Sequence, residues 1–275
     1  MYKIGYRIKL PKDEKMQELF LSRYSTLFNT FELKITNDIL CASSIENIVY
    51  LTNMFNIENY SFHLFKNAFY SDEAYSKTSE LLMLLSRLNS KQNLILVTHC
   101  LEDKLLNIDL INELLKFNNY IFCIENIEVY EGLFEYLEKL KGLVERLNCY
   151  VCLDIGHLFF SATRCNEKIS DVIKYISLDP WWKRKIKEIH LHDFNYQRCH
   201  LNIGTGEIDL NDIMPILNDK VPIILETKIK DLSKDGIEEF EYTKERLIEY
   251  GNTGNFWCGS NCSITQFGIW TRFSI

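Results

Sequence analysis

Residues 120–157 read YIFCIENIEVYEGLFEYLEKLKGLVERLNCYVCLDIGH. Two short runs rich in Ile, Val, Leu, Tyr and Phe, at 120–126 and 150–155, flank a segment whose apolar residues recur at steps of three and four. Short apolar runs predict buried strands, and the three-and-four spacing predicts an amphipathic helix between them. A strand, a helix and a strand in that order imply parallel strands joined by a crossover.

Working outward, the same kind of run recurs at KIGYRI (3–8), FELKI (31–35), YSFHLF (60–65), LILVTH (94–99), EIHLHDF (188–194) and PIILET (222–227). With the two above, that makes eight strands. Helical patterns lie between and after them, among them SDEAYSKTSELLMLLSRL (71–88), EGLFEYLEKLKGLVERL (131–147) and GIEEFEYTKERLIEY (236–250). Ser71 followed by acidic residues suits a helix N-terminus, which favours a capping hydroxyl and negative charge. Eight strand and helix pairs predict an α/β protein, a single closed (β/α)8 TIM barrel over residues 1–250. The alternative, an open doubly wound sheet, would carry a glycine-rich phosphate loop after an early strand, and no G-x-G-x-x-G or Walker pattern occurs. The last stretch, 251–275, has few charges and many Gly, Asn and Ser, and is expected to be a short irregular C-terminal tail.

Length and composition agree with this reading. A chain of 275 residues suits one barrel, and 47% hydrophobic with 25% charged residues is the balance of a soluble globular protein. The net charge of −7 argues against general attraction to nucleic acid, while leaving room for a local basic groove. The start lacks the long apolar core of a signal peptide, and no apolar stretch approaches the roughly 18 to 20 residues of a membrane helix. The expectation is a cytoplasmic protein with no membrane association. Nine cysteines, most in apolar runs, read as reduced thiols. Cys149 and Cys152 have the spacing of a metal or redox pair, but residues three apart on a strand face opposite ways. Cys258 and Cys262 in the tail have no nearby His or further Cys pair to complete a site.

Barrel active sites lie at the C-terminal ends of the strands. His63 lies late in strand three, His99 ends strand four, and Glu125 and Asp154 nearly end strands five and six. His190 lies in strand seven and Glu226 nearly ends strand eight. Any single histidine in an apolar run reads as a core residue. Three inward carboxylates at one barrel end would repel one another, and a divalent cation is an effective way to hold them ionised. Mixed oxygen and nitrogen donors suit Mn²⁺, Co²⁺, Mg²⁺ or Zn²⁺. His192 faces as His190 does but closer to the rim, where it can support a metal ligand, meet substrate or serve a plain structural role.

The ordered segments FCIENIE, CLDIGH, EIHLHDF, HLNIGTGEIDL and IILETK, with SFHLF and VTHC before them, resemble the xylose isomerase-like barrel superfamily of sugar isomerases, epimerases and endonuclease IV-type nucleases. That resemblance implies a metal quartet of Glu125, Asp154, His190 and Glu226, a D-x-x-H motif completed by His157, and a G-x-G turn at Gly204 and Gly206 followed by Glu207 and Ile208. His63, His99 and His200 match further metal-binding histidines of the nuclease branch. Arg198 stands where that branch has an aspartate, which weakens the match to a third metal site. A guanidinium there suits an anionic substrate group.

The function implied is a metal-dependent isomerase or epimerase of a sugar or sugar phosphate. Glu125 and Glu226 would move a proton through a metal-stabilised enediolate. The alternative is an endonuclease IV-like phosphodiesterase acting on abasic DNA. A barrel of this kind can dimerise, although nothing in the chain requires it.

Overall fold

The computed structural model describes residues 2–9, 14–25, 30–35, 42–55, 59–64, 71–87, 94–99, 108–109, 112, 120–227 and 235–253. The expected tail after residue 253, with Cys258 and Cys262, lies outside them.

Eight parallel strands close into a barrel in chain order: β1 (Ile4–Ile8), β2 (Thr30–Lys34), β3 (Asn59–His63), β4 (Leu94–His99), β5 (Tyr120–Glu125), β6 (Tyr150–Asp154), β7 (Ile186–Leu191) and β8 (Ile223–Leu225). β8 returns to pair with β1, as Ile4 aligns with Ile223 and Tyr6 with Leu225. Around them run α1 (Glu14–Tyr24), α2 (Ala42–Met54), α3 (Asp72–Arg87), α4 (Leu133–Arg146), α5 (Ile155–Arg164), α6 (Ile169–Leu178), α7 (Pro180–Lys185), α8 (Leu210–Ile213) and α9 (Asp235–Thr253). All eight expected strands are present. Ser71 accepts a hydrogen bond from the Ala74 amide (3.2 Å) and so caps α3 as its sequence predicts.

Strand alternation divides the protein into two interiors. One set of side chains, including Tyr6, Phe31, Phe62, Leu96, Phe122, Val151, Ile189 and Ile223, joins the core beneath the helices. The other set points into the lumen, where Val97, Cys123 and Cys152 pack with Ile95, Ile121 and Tyr150. Cys149 belongs to the first interior and Cys152 to the second, so the pair does not converge. Among the described residues the cysteines are free thiols, and no helix is long and apolar enough to cross a membrane.

Strand ends shift by a residue or two from expectation, and three of the shifts matter for the site. β7 begins two residues early, directly at the end of α7, and leaves His192 one residue past its end. β8 is only three residues long, so Glu226 also stands one residue beyond a strand, held there by its amide on the Leu191 carbonyl (3.0 Å). β6 passes into α5 without a loop: Asp154 is extended (φ −85°, ψ 109°) and its carboxylate accepts the His157 amide at 2.6 Å. The D-x-x-H spacing is therefore an N-cap and its third helical residue, which turns His157 toward the barrel mouth.

Candidate functional site

Lumen-facing positions near the strand ends carry nearly all the polar chemistry. Lateral pairing sets the neighbours: Arg7 aligns with Glu32, His99 with Glu125, and Asp154 with His190. Glu125, Asp154 and His190 are fully buried, while the Glu226 side chain keeps 14% exposure. One ligand atom from each of these four lies within 4.8 Å of the others. His190 Nδ1 is 3.2 Å from Glu125 Oε1 and 3.5 Å from Glu226 Oε2. The quartet expected from sequence is thus brought together.

Two groups of histidines flank it. His63 Nε2 and His99 Nε2 lie 2.8 and 2.9 Å from Glu125 Oε2. On the other side, His157, His192 and His200 also place ring nitrogens within 4.8 Å of one another, with His192 and His200 rings 4.2 Å apart. His192 Nε2 is 3.1 Å from Asp154 Oδ1. Gly156 makes room for that ring, since a Cβ there would sit 2.1 Å from a His192 carbon. The additional histidines of the sequence reading, His63, His99, His157 and His200, all reach the site. His192, expected to support a ligand or to face substrate, is buried against Asp154 and completes the second histidine group.

Electrostatics keep Glu125 and Asp154 ionised and leave His63 and His200 neutral. Burial alone would raise the Glu125 carboxyl, but His99, His190 and Arg7 outweigh it and hold the group well below the usual carboxylate range. Asp154 is likewise lowered, with His157 and His192 overcoming burial. Burial, with Arg7 nearby, brings His63 down to about 4, and burial with His192 brings His200 down to about 3. Near pH 7 both rings are free bases, the form in which histidine binds metal.

Sequence reasoning missed three lumen residues. Arg7, on β1, donates from Nε to Glu32 and from Nη1 to Glu226, and its Nη2 lies 3.0 Å from His190 Nδ1. Glu32 also receives His190 Nε2 (3.0 Å). Glu188, two residues before His190, is 3.3 Å from the same nitrogen, and burial with Glu32 pushes its carboxyl up to about 7. Arg198, expected to meet an anionic group, is exposed in a turn where its amide is held by Asn195 Oδ1 (3.1 Å). The G-x-G turn is organised by Asp193, whose buried carboxylate accepts the amides of Phe194, Gly204, Gly206 and Ile208 at 2.8–3.0 Å. That turn holds down the loop that carries His200.

Do these residues fit a divalent cation? Three buried carboxylate oxygens of the quartet lack a hydrogen-bond partner: Glu125 Oε1, Asp154 Oδ2 and Glu226 Oε2. Buried polar atoms left this way are costly and call for a partner. His63 makes a second case. Its Nδ1 faces the Leu64 carbonyl (2.9 Å) and so carries the ring hydrogen, which leaves Nε2 as an acceptor facing Glu125 Oε2, another acceptor. Only a proton or a cation between them makes that pair favourable. The donor set fits a divalent ion of the Mn²⁺, Co²⁺, Mg²⁺ or Zn²⁺ type.

Solved structures of the same shape include 3-keto-D-glucoside 4-epimerase YcjR from E. coli (TM-score 0.60, 10% identity, covering 89% of this chain and 100% of that one). L-ribulose 3-epimerase aligns with TM-score 0.61 at 13% identity over 95% of this chain and 100% of the other. D-psicose 3-epimerase, solved in the presence of D-fructose, aligns at 0.62 and 13% over 89% and 99%. At these identities the likeness is one of fold. No curated protein matches the chain in sequence. The profile of the xylose isomerase-like TIM barrel family matches residues 87–246, more than half of the 275, and the chain belongs to that family.

Proposed function

We propose that this protein is a cytoplasmic, divalent-metal-dependent isomerase or epimerase of a sugar or sugar phosphate. The observation that carries the reading is the convergence of Glu125, Asp154, His190 and Glu226, with three of their carboxylate oxygens unpartnered, at the C-terminal end of the barrel. The epimerases of like fold support the substrate class.

A cation held by Glu125, Asp154, His190 and Glu226 would supply Lewis acidity to the bound substrate. Proton movement is the task of the side chains. A carboxylate takes the hydrogen from the carbon beside the carbonyl, giving an enediolate, and a carboxyl group returns it to the other face or to the neighbouring carbon. Glu226 is the only quartet member that keeps side-chain exposure, which places it best to reach a substrate carbon. Glu125 is the opposing group, kept ionised by the imidazoles and guanidinium around it. Arg198, exposed in the Asn195–Arg198 turn, is assigned to an anionic group at the mouth.

The two flanking histidine groups favour a second reading, a phosphodiesterase that uses more than one metal. The net charge of −7, and Arg198 in place of an acid, weigh against it. One assay separates the two: ketoses, their phosphates and an abasic-site oligonucleotide offered to the Mn²⁺- or Co²⁺-loaded protein. Exchange of a carbon-bound hydrogen with solvent, without strand cleavage, is the expected result. Oligonucleotide cleavage with no turnover of any sugar would replace the first reading with the second.

A further inference from the structure

Arg7 and Glu32 carry buried, opposite charges on neighbouring strands, and nothing in the quartet's own chemistry requires them. Their side chains are 8% and 0% exposed. Burying such a pair is expensive unless its hydrogen bonds are well used. Here every branch is used on the quartet. Glu32 accepts Arg7 Nε on one oxygen and His190 Nε2 on the other. His190 then carries its hydrogen on Nε2, and Nδ1 is the nitrogen that faces Glu125 Oε1 and Glu226 Oε2. Arg7 Nη1 takes Glu226 Oε1, so the oxygen left without a partner is Oε2, the one beside His190 Nδ1. Arg7 Nη2 stands 3.0 Å from His190 Nδ1 and 3.5 Å from Glu125 Oε2.

We propose that Arg7 and Glu32 are the positioning residues of the quartet: Glu32 fixes the His190 tautomer, and Arg7 turns the free oxygen of Glu226 into the space shared with Glu125 and Asp154. The inference rests on the quartet being the metal site. Lysine in place of Arg7 would keep the charge but lose the fork that bridges Glu32 and Glu226. Glutamine in place of Glu32 would keep the shape but offer one acceptor oxygen where two donors must be met. Carboxylates behind a metal-binding histidine typically change metal affinity by about 10- to 100-fold.

The test is titration of the metal-free protein with Co²⁺ alone, followed by calorimetry and by the visible d–d absorption of the bound ion. Wild type is compared with Asp154→Asn, Glu32→Gln and Arg7→Lys. Expected are tight binding by wild type, its loss in Asp154→Asn, and roughly 10- to 100-fold weaker binding with an altered absorption envelope in the other two. Should a single variant fail to fold, the double variant Arg7→Met with Glu32→Met removes both charges together and must show the same weakening. Wild-type affinity and an unchanged spectrum in these variants, with Asp154→Asn still defective, would overturn the positioning role alone. Absence of Co²⁺ binding by wild type would overturn the quartet reading and this inference with it.

Discussion

Two sides of the barrel lumen meet at the candidate site and neutralise its acids differently. On β5 and β6, Glu125 and Asp154 follow Cys123 and Cys152, which form an apolar cluster with Val97. Their partners are mainly imidazoles: His63 and His99 on Glu125, His157 and His192 on Asp154. On β7 and past β8, His190 and Glu226 lean on the guanidinium of Arg7 and the carboxylate of Glu32. A guanidinium stays charged at any ordinary pH, whereas a neutral imidazole offers a lone pair. One side is thus a fixed electrostatic frame, and the other is a set of donors that can accept protons or cations.

Breaking the chemistry at the junction should have the largest effect. Glu226→Gln keeps the shape and removes both the charge and the proton acceptor, so kcat should fall at least about 100-fold while the barrel remains folded. Steady-state kinetics on the true substrate, beside circular dichroism, check this. Near wild-type turnover would remove Glu226 from the proton-transfer role.

A smaller and one-sided effect is expected from His63→Ala combined with His99→Ala. The fixed frame is untouched, so a cation should still bind the quartet, but Glu125 loses two of its imidazole neighbours. Metal analysis at saturation should show any additional equivalent gone and the remaining site weakened by about 10-fold, in line with the loss of groups that orient a ligand. Complete loss of metal would mean that the histidine side is the principal site, contrary to the division drawn here.

The mildest change is Arg198→Ala, outside both sides. Loss of one charge-assisted contact to a remote anionic group should raise KM about 10-fold for a phosphorylated or acidic substrate and leave kcat and metal content as they were. Equal KM values for wild type and variant across phosphorylated sugars would take Arg198 out of the site.

The same division explains what was legible in the sequence. Glu125, Asp154 and Glu226 stood out because each interrupts a strongly apolar run, FCIEN, VCLDI and IILET, where a charge is anomalous. Arg7 and Glu32 did not, because KIGYRI and FELKI alternate like any strand with a wet face. In a closed barrel the inward face of the strands is the one that carries them, while Tyr6, Ile8, Phe31 and Leu33 pack outward beneath the helices. Only closure brings Arg7 next to Glu226 and Glu32 next to His190, positions more than 150 residues apart in the chain. The second role of Asp154 was hidden for another reason. Its capping bond to His157 depends on β6 running straight into α5, a boundary that apolar patterning does not mark.

That capping role makes Asp154 the sharpest probe of the central claim, that the quartet holds a divalent cation. Asparagine caps a helix about as well as aspartate, so Asp154→Asn removes a charge and a ligand without undoing the start of α5. The measurement is metal content by elemental analysis of wild type and Asp154→Asn, each loaded with Mn²⁺ or Co²⁺ and dialysed to equilibrium. The account predicts that wild type retains the ion and that the variant, weakened by orders of magnitude, comes out nearly empty with an unchanged circular dichroism spectrum. Equal metal in the two proteins would contradict it.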